Sequence, residues 1–116
     1  MAKKYKLSVD EIKPLVANGG SCIATDRIMV EGLMVRFMYR EEPMNSADSG
    51  WRFLSGFESD AYMEKAGNHG LHDLNTLANY DPSIIPLLDA PVGSTFEKKE
   101  ATDHFVEVRD WEPEDD

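Results

Sequence analysis

The chain has 116 residues, 41% of them hydrophobic and 29% charged, with a formal net charge of −10. That length suits one compact domain and leaves no room for two, and the apolar share supports a modest core, which excludes global disorder. A negative chain without a basic face of interleaved aromatics is repelled by nucleic-acid phosphates and anionic membranes, so neither is an expected partner.

Ser8-Val9-Asp10-Glu11 reads as a capping box, in which Glu11 reaches back to the Ser8 N–H. A short helix over 9–17 is predicted to follow, with Val9, Ile12 and Val16 on one face, Pro14 near its middle and Asn18-Gly19-Gly20 at its end. Strands are predicted over 21–30 and 33–40, with Glu31-Gly32 as a tight turn between them. In the second, Leu33, Val35, Phe37 and Tyr39 alternate with Met34, Arg36, Met38 and Arg40. A polar loop over 43–50 leads to a third strand over 51–55. Helical segments follow over 58–66, closed by Gly67, and over 73–80. Asp81-Pro82 is a helix-start pair, with Asp capping and Pro at the first helical position, and Pro91 and Gly93 stop the helix it opens. Late strands are expected over 95–98 and 104–111. Strands, then helices, then strands describe the α+β class: a small antiparallel sheet covered by short helices.

The charge is uneven. Residues 100–116 carry eight acidic side chains against Arg109 alone, and the tail 112–116 is expected to be disordered beyond a single α+β domain over 1–111. Cys22 is the single cysteine, so one chain forms neither an intramolecular disulfide nor a thiolate metal cluster. It reads as a buried strand residue. The basic start is followed by no unbroken apolar stretch of the kind a secretory signal needs, and no run approaches membrane-spanning length. The expected location is the cytoplasm.

The densest segment is Asp48-Ser49-Gly50-Trp51-Arg52-Phe53-Leu54-Ser55-Gly56-Phe57-Glu58. Asp48 and Ser49 suit a turn whose side chains bond local backbone N–H groups, Gly50 allows a φ that larger residues resist, and Trp51 and Phe53 share one strand face. Arg40-Glu41 before it and, within it, Asp48-Ser49-Gly50-Trp51, Phe53, Ser55-Gly56 and Glu58 resemble a bacterial family long catalogued as a domain of unknown function and later grouped among the immunity proteins of polymorphic toxin systems, as immunity protein family thirty-three. Asp73-Leu74-Asn75-Thr76, Asn79-Tyr80-Asp81-Pro82, Ile85-Pro86, Leu88, Pro91, Gly93-Ser94 and Phe96 are similar to its second block, in the same order. The resemblance spans about residues 21–98. It implies an α+β fold and an inhibitor that binds a cognate toxin by surface complementarity, with no cofactor and no catalytic residues to carry over. Arg40, Asp48, Ser49, Trp51, Glu58, Asn75 and Asp81 are the candidate binding residues.

Other chemistry is weaker. Asp48 and Ser49 would form a hydrolase constellation only with a histidine in reach, and the strained G-x-S-x-G elbow is missing from the sequence. His69 and His72, with Asp73, Asp103 and His104, are possible metal ligands, but Gly67 and Gly70 argue against the helix that would bring i and i+3 together, leaving a polar loop with Asp73 as an N-cap. Met34, Met38 and Met44 with Arg36 and Arg40 read either as an adaptable binding face or as methionines packed under a helix with arginines reaching outward. Arg40-Glu41-Glu42 reads as a solvated charge run. A small regulatory or ligand-binding domain is the alternative to toxin binding, and the sequence leaves the oligomeric state open.

Overall fold

A computed structural model describes residues 4–17, 19–98 and 105–108. Six strands, β1 (Ser21–Thr25), β2 (Phe37–Arg40), β3 (Asp48–Leu54), β4 (His69–Asp73), β5 (Thr95–Lys98) and β6 (Phe105–Glu107), form one sheet in the order β4-β1-β3-β2-β5-β6. Short helices α1 (Asp26–Met29), α2 (Asp60–Glu64) and α3 (Leu74–Tyr80) and a 3-10 helix at Pro82–Leu87 complete the α+β fold expected from the sequence. The sheet is mostly antiparallel. The exception is β1 beside β3, which run parallel with α1 and β2 between them in the chain.

Register assigns the two faces. The pairings of Ala24 with Phe53, Met38 with Phe53 and Phe96, and Arg40 with Trp51 put these side chains on one face. There Cys22, Ala24, Met38, Trp51 and Phe53 pack against Ile28 and Met29 of α1, Leu74 and Leu77 of α3, and Ile84 of the 3-10 helix. Trp51 and Phe53 stack with ring centroids 6.2 Å apart, as their shared parity predicts. The opposite face carries Ile23, Thr25, Phe37, Tyr39, Arg52 and Leu54, with α2 at its margin.

Several boundaries differ from the sequence reading, each for a physical reason. The helix expected over 9–17 is only a 3-10 turn at Val9–Glu11, although Glu11 does accept from the Ser8 N–H at 2.8 Å. Pro14 cannot supply a helical N–H, and the backbone of Lys13, Leu15 and Val16 bonds instead to Asn75 and Asn79. The strand expected over 21–30 stops at Thr25. A strand would send Ile28 and Met29 to opposite faces, whereas the single turn of α1 buries both. Gly32 has the positive φ of 81° expected of it, but its N–H bonds the Ile28 carbonyl and closes α1 rather than a hairpin.

The alternation over 33–40 changes phase. Val35, whose N–H bonds the Asp81 carboxylate, is buried with Met38, while Phe37 and Tyr39 lie opposite and Met34 is exposed. Of the three methionines in the sequence's candidate binding face, Met38 packs in the core. The helix predicted over 58–66 is the shorter α2, capped by the Ser59 hydroxyl accepting from the Tyr62 N–H, and Gly67 lies in a 3-10 turn at Ala66–Asn68. The polar loop expected at 69–73 is strand β4, at the end of the sheet order, where polar residues and Gly70 are tolerated because among the described residues its one strand partner is β1. β5 falls where predicted. The late strand is found over Phe105–Glu107, and the rest of 104–111 and the tail 112–116 lie outside the described residues.

Candidate functional site

The D-S-G-W segment is built around a buried charge. Arg52 sits in the middle of a central strand, and its guanidinium donates from Nη1 and Nη2 to the two Asp48 oxygens at 3.0 and 2.9 Å, and from Nε to Glu41 at 2.6 Å. Asp48 also accepts from the Met44 and Gly50 N–H groups. The Arg52 bonds hold the Asp48 carboxyl far below its usual range, against the opposing effect of burial, and the same bonds keep Arg52 charged. Gly50 is required here: with φ at 89°, a Cβ would stand 2.3 Å from the Glu41 carbonyl oxygen. Ser49 accepts from the Trp51 N–H, and Trp51 donates from Nε1 to the Leu88 carbonyl at 3.1 Å. Arg40 donates to the Ser49 and Ala90 carbonyls, with its guanidinium over the Trp51 ring.

The other motif residues also join elements. Glu58 accepts from the Ser55 and Gly56 N–H groups and from the Ser55 and Thr25 hydroxyls. Burial alone would raise its carboxyl, but these hydrogen bonds outweigh it and hold the group below its ordinary value. Asp81, fully buried, accepts from the Val35 and Ser83 N–H groups, the Ser83 hydroxyl and the Lys98 ammonium. Asn75 accepts from Leu15 and Val16 and donates to Lys13. Asn75→Ala is expected to release this N-terminal segment at a cost of about 1–2 kcal/mol, from intramolecular hydrogen bonds worth roughly 1 kcal/mol each. Amide exchange at Leu15 and Val16 should speed up well beyond that in β3, and equal changes in both places would contradict a local clamp.

The seven candidate residues therefore do not converge on one surface point. Arg40, Asp48, Ser49 and Trp51 form one group around β3, Glu58 closes the turn after it, and Asn75 and Asp81 tie down the helical layer. Parity sends His69 and His72 to opposite faces: His69 contacts the Met63 carbonyl, and His72 stands edge-on to Tyr5. Among the described residues no group of three His, Cys, Asp or Glu side chains is placed to hold a metal, and His104 and Asp103 lie outside them. Cys22 is buried in β1, and desolvation pushes its thiol far above the usual value, so it is an inert packing residue.

Over Arg52, on the face opposite α1, α3 and the 3-10 helix, lies a cleft of about 160 Å³ walled by Ile23, Tyr39, Glu41, Leu54, His69 and, from α2, Met63. Burial, and then the Glu41 carboxylate, push the Tyr39 phenol up, with Arg52 opposing. By sequence, Arg40-Glu41-Glu42 reads as a solvated charge run. Glu41 instead holds Arg52, with half of its side chain still exposed at 51%. The missed signal was Arg52 itself, a charge between Trp51 and Phe53 that a buried strand accommodates only beside carboxylates.

These features define a class: a small α+β scaffold in which the buried Asp81–Lys98 pair holds one sheet against a helical layer, with a second buried ion pair inside the sheet and an apolar cleft on its other face. The family model described as Immunity protein Imm33 domain matches residues 22–109, more than half of the chain, and the chain belongs to that family. Membership carries a toxin-neutralising role in general terms and a generally non-enzymatic one. No match is found among curated proteins or solved structures. Among the described residues no helix is long and apolar enough to cross a membrane.

Proposed function

We propose that this protein neutralises a cognate toxin in the cytoplasm by stoichiometric binding, without chemistry of its own. The family match over 22–109 carries the reading. The geometry supports it in two ways. Ser49 accepts from the Trp51 N–H and Asp48 gives its oxygens to Arg52, so the residues of the imagined hydrolase act as a frame. The cleft, at about 160 Å³, also falls below the roughly 300–1,000 Å³ of small-molecule sites, which favours a protein surface over a metabolite pocket. In this reading Arg40, Asp48, Ser49, Trp51, Glu58, Asn75 and Asp81 contribute to binding by fixing the shape that meets the toxin.

Affinity capture of the tagged chain from its host's lysate tests the proposal. One toxin-like chain is expected at one-to-one stoichiometry, captured faster at low salt than at high because a net charge of −10 steers a basic partner. Capture of no partner at either salt, with a metabolite co-purifying instead, would replace toxin binding by the ligand-binding alternative.

A further inference from the structure

We propose that the sheet face left free of the helical layer, together with Phe57, is the surface on which the toxin docks, and that the toxin side chain entering the cleft is an arginine or lysine. The proposal rests on the toxin-binding reading above and specifies the partner's chemistry.

Apolar side chains, half-buried along the middle of the face and exposed at its ends, place the surface. The face away from the core carries Ile23, Phe37, Tyr39 and Leu54, and at its two ends Leu71 and Val106 are 64% and 37% exposed. Interface centres are rich in aromatic and apolar side chains, which matches this strip. Phe57 is 67% exposed, yet the turn that bears it is closely tied. Glu58 accepts from Ser55 and Gly56 on one side and reaches Thr25 on the other, and the Phe57 N–H bonds the Ser55 hydroxyl. An aromatic held on a preorganised turn loses little further freedom on binding, and such residues are frequent energetic anchors. Leu54, three residues before Phe57, and Met63, six residues after it, both line the cleft.

Charge specifies the occupant. Among the described residues Arg52 is set against two carboxylates, Asp48 and Glu41, so this cluster carries one surplus negative charge. Asp48 is buried, which leaves the surplus on Glu41 at the cleft wall. The exposed Asp73 and Glu97 lie on the same sheet face and add the same sign. His69, on the facing wall, bonds the Met63 carbonyl. Apolar walls with a carboxylate beside them suit a side chain with a hydrocarbon stem and a cationic head.

The test titrates the whole protein with N-acetyl-argininamide, and in parallel with the uncharged N-acetyl-citrullinamide, followed by amide chemical shifts. Saturable shifts are expected at Ile23, Tyr39, Glu41, Leu54 and Met63 with the arginine probe alone, at least tenfold weaker in Glu41→Gln, which keeps an acceptor for Arg52. Equal responses to both probes, or an unchanged response in Glu41→Gln, overturn the cationic occupant. With the captured toxin, Glu41→Gln and Phe57→Ala should each weaken binding tenfold or more, while Leu15→Ala, on an exposed residue clamped to the helical layer, leaves it unchanged. Equal toxin binding by all three moves the docking surface elsewhere and leaves stoichiometric neutralisation standing. A wild-type chain that holds no toxin removes the neutralisation reading and this surface with it.

Discussion

Asp81→Ala is expected to lower the stability of the fold by about 3–5 kcal/mol, the range for stranding one member of a buried ion pair. The Asp81 and Lys98 side chains are 1% and 2% exposed, and the ammonium lies 2.6 Å from Oδ2. Removing the carboxylate leaves that cation in the core, with the Phe105 ring 5.0 Å away as a weak partner. It also strips the acceptor from the Val35 N–H and uncaps the 3-10 helix at Ser83. Three pieces of chain thus lose their common anchor: the lead-in to β2, strand β5 and the helical layer. Since a domain's total stability is about 5–15 kcal/mol, a variant weakened this far is partly unfolded at physiological temperature or close to it. Urea unfolding reads the loss directly. The paired variant Asp81→Asn with Lys98→Met separates charge from packing, because replacing both partners by neutral groups of similar size should restore much of what either change alone removes. A loss below about 1 kcal/mol for Asp81→Ala would mean that Lys98 finds water or another carboxylate, and that the pair does not anchor these elements.

The same pair shows where sequence is informative and where it is silent. Asp81-Pro82 was legible as a helix start because capping is local, needing only the next two residues, and the Asp81 side chain does accept from the Ser83 N–H. Its pairing with Lys98, seventeen positions on, has no local signature, and Lys98 read as an ordinary strand-end residue. Trp51 and Phe53 were legible as core by strand parity, and β5 by its β-forming residues. β4 was not, since a strand at the end of the sheet order tolerates Gly70 and two histidines and so reads as a loop. α1 was hidden because four residues give no helical period, and its reason for being helical lies in the core that receives Ile28 and Met29. The family resemblance picked out the residues that frame the fold. Of the cleft's lining only Glu41 and Phe53 belong to those residues, while Ile23, Tyr39, Leu54, Met63 and His69 come from four strands and a helix and share no motif.

Asp48→Asn is expected to cost about 3 kcal/mol at neutral pH and to flatten the acid limb of the stability profile. The magnitude lies at the lower end for a broken buried pair because Arg52 retains Glu41 through Nε. The pH dependence follows from linkage. In the unfolded chain Asp48 titrates near its ordinary value, about 3.9, whereas in the fold the Arg52 guanidinium holds it far lower. The unfolded state therefore binds this proton more readily, so the contribution is fully present above about pH 5 and is lost as pH falls through the acid range. Glu58, also depressed in the fold by its hydrogen bonds from Thr25 and Ser55, acts in the same direction. The wild-type urea midpoint should fall steeply between about pH 5 and pH 2, and Asp48→Asn should follow a shallower line that approaches the wild type at the acid end. Parallel profiles offset by a constant would show that Asp48 does not titrate differently in the two states, and would separate the packing of the D-S-G-W turn from its charge. The cluster also links stability to the cleft, because the charge that Asp48 neutralises on Arg52 leaves Glu41 as the surplus carboxylate at the open face. Losing Asp48 makes Glu41 the sole carboxylate contact of Arg52 and cancels the local negative charge. The same variant should therefore weaken argininamide binding even at pH 7, where the fold persists.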